Sequence, residues 1–392
     1  MNTSARTAAA RRRMASPRLI LSAATITAAA ACMPSTASAA PISGSSVTLY
    51  GILDTGAEFL TNAAQSNGSN HSVLRMTSGN MSGSRWGLQG NEDLGGGSKV
   101  FFRLENGFNL DTGAGLQGSR EFGRLAYVGI SNKTYGSISL GRQGGLFLDW
   151  MSKYNPLGNA VYAIKMQDSA FSDRLDNTVR YEYDLSGFKA IGQYSFGYDN
   201  VTYGAQPAGN TQLARVIEAG LMYSHGPFSA SVVYDQKNGG SILENAATTT
   251  KVGGFDGNQD RRIGVGASYR LNAFRFYGGY RYKDGAATHL TTLTSGPVEA
   301  SSLYWLGATY FIQPSWTVSS TAMYQNFYGT SRDPWSFQLD TDYSLSKRTD
   351  VYLNLGYVLN QHGSNLGLNG FGTDVVAGKN QFGAMMGIRH RF

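Results

Sequence analysis

The chain has 392 residues, enough for two or three globular domains, but its composition favours one kind of structure throughout. It contains 50 Gly, 23 Tyr and 19 Phe beside only 9 Pro, and 15% of its residues are charged. Glycine and aromatic residues at that level suit strands and turns, and they argue against a mainly helical protein. The net charge of +7 would favour a nucleic-acid partner only if it persisted in the mature chain.

Residues 1–39 have the pattern of a secretory signal peptide. Five arginines, without one acidic residue, flank the start of an apolar run at Leu19–Ala31 that is too short to span a bilayer. Small residues at Ala37 and Ala39 then mark a cleavage site. We expect cleavage after Ala39, so that residues 40–392 form one mature domain.

Loss of this leader removes the charge imbalance and the single cysteine. The basic residues fall from 33 to 28 against 26 acids, which leaves no support for a nucleic-acid partner. Cys32 leaves as well, so the mature chain carries no thiol into the oxidising periplasm. Translation from Met14 would shorten the leader, and the sequence leaves both starts open.

After residue 40, no apolar stretch approaches the roughly 20 residues that a membrane-spanning helix needs. Short segments with a period of two run along the chain instead, as is typical of β-strands. In the segment 274–283, aromatic residues and a glycine share one face. The other face carries the charge of Arg275, Arg281 and Lys283.

Such strands occur in soluble sandwiches and in transmembrane barrels, and two features favour the barrel. The first is the export signal. The second is the position of aromatic residues near strand ends, where barrels have their interfacial girdles. The aromatic residues in question are Trp150, Tyr154, Tyr304, Trp305, Trp316, Tyr324, Tyr328 and Trp335.

Tight polar turns and longer polar loops alternate along the chain and give the strand count. Seven turns are expected, at 93–98, 132–136, 186–187, 225–227, 272–273, 313–315 and 346–348. Eight loops are expected, at about 61–70, 110–119, 143–173, 199–212, 237–259, 285–299, 327–335 and 361–379. Fifteen connections join sixteen strands, and the even number places both termini on the periplasmic side.

The sequence therefore predicts an all-β fold, a 16-stranded antiparallel transmembrane β-barrel with short periplasmic turns and long extracellular loops. Lipid offers no partner to a free backbone N–H or C=O, so the first strand, Val47–Phe59, must pair with the last. The parity of the last strand places Met386, Ile388 and Phe392 toward lipid. It places Arg389 toward the lumen.

Several segments resemble the general diffusion porins of Gram-negative bacteria, in particular the β-proteobacterial type. The resemblance covers essentially all of 47–392 and implies a homotrimer in which the third loop folds inward. It also implies that Phe392 is part of the signal read by the barrel-assembly machinery. The segments that carry it are Val47–Gly51, Ser84–Gly97, Arg124–Gly129, Gly136–Gln143, Asp176–Tyr181 and Gly387–Phe392.

The loop 143–173 is the main candidate for function, because 31 residues without a strand pattern are unusual in a compact fold. A solvated surface loop is the alternative interpretation. The resemblance implies that the loop narrows the pore and that Arg85, Arg124 and Arg174 form a basic wall beside it. We expect the pore constriction to hold Arg85, Arg124, Arg142, Asp149, Lys153, Lys165, Asp168 and Arg174.

The charge of this loop predicts the sign of ion selectivity. Asp149 and Asp168 balance Lys153 and Lys165, so a neutral loop facing an arginine wall leaves the constriction positive. We therefore expect a weak preference for anions. No cofactor or metal site is expected, because the five histidines lack the spacing of metal ligands and Asp256–Asp260 is an incomplete calcium loop.

The expected function is passive diffusion of small hydrophilic solutes and ions through the outer membrane, without enzymatic chemistry. The expected partners are outer-membrane lipid, lipopolysaccharide and two further copies of the chain. A porin selective for organic anions or sugars is the main alternative. An outer-membrane barrel hydrolase is a distant one, since no serine, histidine and acid are marked as a triad.

Overall fold

The computed structural model describes residues 46–392 apart from 65–68, 204–209, 240, 245–250, 255–256, 258, 286–299 and 372–374. The expected signal peptide, and nearly all of the expected loop 285–299, lie outside the described residues. None of the helices within the described ranges is long and apolar enough to cross a membrane.

The described residues form 21 strands and two short α-helices. The strands are β1 (Ser46–Ala64), β2 (Asn70–Ser78), β3 (Arg85–Gly95), β4 (Ser98–Gly107), β5 (Leu125–Asn132), β6 (Gly136–Gly144), β7 (Arg174–Leu185), β8 (Phe188–Ser195), β9 (Val216–His225), β10 (Phe228–Asn238), β11 (Ser241–Glu244), β12 (Lys251–Gly254), β13 (Gln259–Leu271), β14 (Phe274–Asp284), β15 (Ala300–Gln313), β16 (Trp316–Phe327), β17 (Trp335–Ser344), β18 (Thr349–Leu359), β19 (Leu366–Gly367), β20 (Gly370–Phe371) and β21 (Gln381–Arg391). The helices are α1 (Leu146–Asp149) and α2 (Asn200–Tyr203), and 3₁₀ turns occupy Met151–Tyr154, Ile164–Met166 and Ser169–Ser172.

Seventeen of these strands form one closed antiparallel sheet, and β11–β12 and β19–β20 are separate hairpins. Both β2 and β3 pair with β1, which makes them two halves of one strand of the barrel. Counted in this way, the barrel has the predicted sixteen strands. The break between the halves includes Gly79, whose φ of +72° is unfavourable for other residues. The Asp54 carboxylate accepts the amides of Met81 and Ser82 at 2.9 and 2.6 Å and so holds the break in place.

The first and last strands close the barrel, as predicted. The pairs of β1 with β21 run from Ile52–Arg391 to Leu60–Gly383. Past the end of β21, Phe392 exchanges two backbone hydrogen bonds of 3.1 Å with Gly51. This pairing removes the open edge that a membrane would not tolerate.

The two faces of the wall differ as the parity of the sequence predicts. Toward the outside, Leu306 is 72% exposed and Met386 is 65% exposed. Toward the lumen, Arg281 and Glu58 are fully buried. The expected girdle is wrong at three positions, because Trp150, Tyr154 and Trp305 pack inside the barrel. Period-two alternation predicts the face of a residue only within a correctly placed strand. Trp150 and Tyr154 lie in a loop, where this rule does not apply.

The contact between Phe392 and Gly51 generates a prediction about assembly. Deletion of Phe392 removes two closing hydrogen bonds and an outward aromatic ring, so we expect a lower yield of folded barrel. The channels that do fold should conduct as wild type, because Phe392 lies on the outer face. Heat-modifiable migration on gels measures the folded fraction, and Phe382→Ala is the matched control on the same outward face. Normal yield with altered conductance would contradict this interpretation.

Candidate functional site

The third long loop, residues 145–173, lies in the barrel lumen and is called here the constriction loop. Its apolar side chains are buried against the inner wall. Leu146, Phe147 and Ile164 are fully buried, and they belong to one cluster with Trp305 and Met323 of the wall. The prediction of an inward-folded loop therefore agrees with the structure, and an apolar core inside the barrel explains why the loop stays there.

A groove of inward-facing glycines makes room for the constriction loop. An added Cβ at Gly264 would come within 2.8 Å of the Phe147 ring, and one at Gly266 within 2.6 Å of the Tyr154 ring. At Gly279 it would overlap the Trp305 ring. The missing side chains on β13 and β14 therefore define the space in which the aromatic residues lie.

Polar contacts tie the same loop to the wall at several points. The Leu146 amide donates to the Glu218 carboxylate at 3.1 Å, and the Tyr162 hydroxyl donates to Glu58 at 2.8 Å. The Trp305 indole N–H donates to the carbonyl of Tyr154 at 2.8 Å. These bonds satisfy buried polar groups and fix the loop in one position.

A substitution at Gly279 tests this arrangement. Gly279→Ala should destabilise the folded barrel by about 1–3 kcal/mol, because the new methyl group displaces Trp305 from the core inside the lumen. Thermal unfolding in detergent measures the change. Gly192→Ala is the matched control, since a Cβ there has nothing within 4 Å. Equal melting temperatures for the two variants would contradict the proposed fit.

The lumen beside the constriction loop contains a cavity of about 1,020 Å³. Among the described residues, eight basic and four acidic side chains line it, which leaves an excess of four positive charges. The basic residues are Arg85, Arg124, Lys165, Arg174, Lys237, Arg262, Arg281 and Lys283, and the acidic ones are Asp168, Asp173, Asp199 and Asp260.

One group of these charges, called here the arginine wall, consists of Arg85, Arg124 and Arg174 together with Lys165 of the loop. Its counter-ion is Glu105, which is 2% exposed and lies behind the arginines. The Arg124 Nε donates to Glu105 at 2.6 Å, and an Arg85 nitrogen lies 3.9 Å from the same carboxylate. Four cations share one acid within this group, so the arginine wall carries most of the positive excess.

The other group, called here the paired cluster, is electrically balanced. Lys237, Arg262, Arg281 and Lys283 face four carboxylates. Arg262 lies 2.7 Å from Asp235 and 3.2 Å from Asp168, and Arg281 lies 3.0 Å from Asp168. The carboxylates of the paired cluster are Asp168, Asp173, Asp235 and Asp260.

The structure separates the eight residues that the sequence predicted for the constriction. Arg85, Arg124, Lys165, Asp168 and Arg174 line the cavity. Arg142 pairs with Asp176 at 2.5 Å, Asp149 pairs with Arg180 at 3.0 Å, and Lys153 is exposed elsewhere in the lumen. The sequence missed most of the paired cluster, although the lumen parity of Arg281 and Lys283 was visible in the alternation of 274–283.

A second loop also enters the lumen, and the sequence did not predict it. The hairpin β19–β20 lies within the expected outer loop 361–379. Leu368 is fully buried between the wall and the constriction loop, where it would meet a Cβ at Gly356 or Gly383. Asn369 and Gly370 at the hairpin tip line the cavity. Both loops therefore shape the pore.

Burial and the positive charges of Arg174 and Arg124 lower the pKa of Lys165 to about 8 from its ordinary value of 10.5. Lys165 is therefore mainly charged at pH 7 and loses its charge as the pH rises through 8. We expect the anion preference to fall as the pH rises from 7 to 8, a range in which Lys165 loses charge and a guanidinium stays protonated. Reversal potentials at several pH values measure this. Lys165→Met should remove the dependence and Lys379→Met should retain it; a flat profile in wild type would contradict the assignment.

Comparison with known proteins decides the family. Residues 23–363 match the family model described as Gram-negative porin. The chain belongs to the Gram-negative porin family. An outer membrane porin protein of Bordetella pertussis is 32% identical over 354 residues, which are 80% of this chain and 89% of that protein. The porin thus lies in the outer membrane and forms a channel for passive diffusion.

Two solved structures share the fold of this porin. The anion-selective porin from Comamonas acidovorans is 26% identical, has a TM-score of 0.73 and covers 89% of this chain and 100% of its own. The outer-membrane protein OmpT of Vibrio cholerae, solved in a trimer form, has a TM-score of 0.61 at 18% identity, with 89% and 100% coverage.

Proposed function

We propose that this porin is a general diffusion channel for small hydrophilic solutes, with a weak preference for anions. The observation that carries the proposal is the unequal charge of the two groups beside the constriction loop. The paired cluster is balanced, whereas the arginine wall has four cations and one acid. A passing anion therefore meets a net positive field beside the constriction loop.

The residues predicted from the sequence have different roles in this proposal. Arg85, Arg124, Arg174 and Lys165 supply the field. Asp168 has a structural role, because Arg262 and Arg281 both lie within 3.2 Å of its carboxylate. Their charges hold the pKa of Asp168 well below its usual range, so the carboxylate stays ionised.

The similarity to an anion-selective porin supports the sign of the preference. The preference should be weak, since a cavity of about 1,020 Å³ admits water and counter-ions that screen the arginines. A cavity of this volume also favours general diffusion over a channel that binds one solute. We also propose a homotrimer in contact with outer-membrane lipid and lipopolysaccharide, supported by the trimer form of a protein with this fold.

Removal of charge from the arginine wall tests the proposal. Arg124→Gln and Arg174→Gln should each lower the ratio of anion to cation permeability roughly two- to threefold, as expected for one charge in a screened, water-filled pore. Reversal potentials across a salt gradient in planar bilayers measure the ratio. Arg348→Gln is the control, because that arginine is exposed in a periplasmic turn.

The same recordings distinguish the alternatives. A general channel should conduct in proportion to salt concentration and should not be blocked by added solutes, and a trimer should show three equal conductance levels per insertion. Saturation and block by an organic anion or a sugar would favour a substrate-selective porin instead. An unchanged permeability ratio in both arginine variants would contradict the role of the arginine wall.

A further inference from the structure

A buried polar patch lies on the inner faces of β16, β17 and β18 and in the break between β2 and β3, and it has no role in the pore described above. Five side chains, each at least nine-tenths buried, hold oxygen atoms without a hydrogen-bond partner among the described residues. Buried polar atoms in native proteins are nearly always paired with protein groups, ordered water or ions, so five such oxygens together mark a place where water or a cation binds. The residues of this β17 patch are Asn80, Thr321, Gln338, Asp340 and Asn354.

The upper row of the β17 patch lies under the constriction loop. Directly paired positions on β15 to β18 form this row. Pro156 of the loop fills the space beside Gly307, where the row begins. Tyr162 of the loop fills the space beside Gly356, where the row ends. The constriction loop therefore passes over Thr321 and Gln338, which lie between these two glycines. The row consists of Gly307, Thr321, Gln338 and Gly356.

The lower row brings a carboxylate beside an amide. Asp340 pairs directly with Asn354, so their Cβ atoms are about 5 Å apart. The Asn354 amide nitrogen donates to the Met81 sulfur at 3.5 Å, which leaves its Oδ1 free to accept. Asn80 precedes Met81 and adds a further side-chain oxygen.

The Asp340 carboxylate has no cation within ion-pair distance in the part of the chain that the structure describes. The nearby Arg389 is engaged by Asp342 at 2.7 Å and by Asp350 at 2.9 Å. A buried carboxylate is costly unless a nearby charge compensates it or a proton neutralises it, so this position suits a bound cation.

The β17 patch is closed on its extracellular side. The row above it is closed by Trp305, Met323 and Val358, which are at most 1% exposed. Below the patch, β17 and β18 continue to the periplasmic turn at 345–348. The β17 patch therefore lies on the periplasmic side of that closed row.

We propose that the β17 patch binds one hard divalent cation of the calcium type. Asp340 supplies the charged oxygen, Gln338 and Asn354 supply amide oxygens, and Thr321 supplies a hydroxyl oxygen. Calcium accepts such mixed oxygen ligands and water in flexible geometry, whereas magnesium requires a stricter octahedron. No three acidic, histidine or cysteine residues within the described ranges gather at one metal site, so the site relies on neutral oxygens around one carboxylate.

Calorimetric titration of calcium chloride into chelator-treated, folded porin in detergent tests the site. Wild type should bind one calcium ion per chain with a saturable isotherm. Asp340→Asn keeps the shape of the side chain but removes its charge, so the affinity should fall about tenfold or more. Asp184→Asn is the matched control, because that carboxylate is 68% exposed in the lumen wall, and it should bind as wild type.

A second variant keeps the test decisive if Asp340→Asn fails to fold. Gln338→Leu removes one neutral ligand and should weaken calcium binding several-fold while leaving heat-modifiable migration unchanged. Absence of saturable binding to wild type at millimolar calcium would overturn the proposal. A second result would also overturn it: an infrared band of a protonated carboxylic acid that is present in calcium-loaded wild type and absent in Asp340→Asn. Such a band would show that Asp340 binds a proton and not the metal.

Discussion

The constraint on which the structure depends is that the hydrocarbon of a membrane offers no hydrogen-bond partner to the backbone. The sheet must therefore close, and it does so where β1 pairs with β21 and Phe392 reaches Gly51. Closure divides the side chains of each strand between lipid and lumen. Charged residues such as Arg281 and Glu58 therefore lie inside the barrel, where they contact one another and the inserted loops.

The inserted loops convert a wide barrel into a narrow pore, and glycines make this possible. On β13 and β14 the missing side chains of Gly264, Gly266 and Gly279 provide the depth in which aromatic rings pack. The barrel thus has a small apolar core of its own, and the constriction loop is fixed by that core as well as by hydrogen bonds. A fixed loop keeps Lys165 beside the arginine wall, so that the field in the pore is part of the folded structure.

Much of the fold could be predicted from the sequence, because alternation and turn residues report directly on the wall. Turn residues locate the turns, and the alternation of side chains with a period of two gives the closing pair and the parity of the last strand. The resemblance to the porin family, together with strand parity, indicated Arg85 and Arg124. The hairpin at Leu366–Phe371, the inward position of Trp305 and the acid partners of Arg262 could not be read in this way. Each depends on which distant strands face one another, and a glycine that makes room for a ring gives no signal of its own in a hydropathy pattern.

In the proposed function, the constriction is positive because the four cations of the arginine wall share a single acid, Glu105. The most direct test is the reversal potential of the wild-type porin in a planar bilayer with a tenfold gradient of potassium chloride at pH 7. The sign should show that chloride is more permeant than potassium, with a magnitude well short of ideal anion selectivity. A potential of the opposite sign would contradict the account, because the charges beside the constriction loop would then not control permeation.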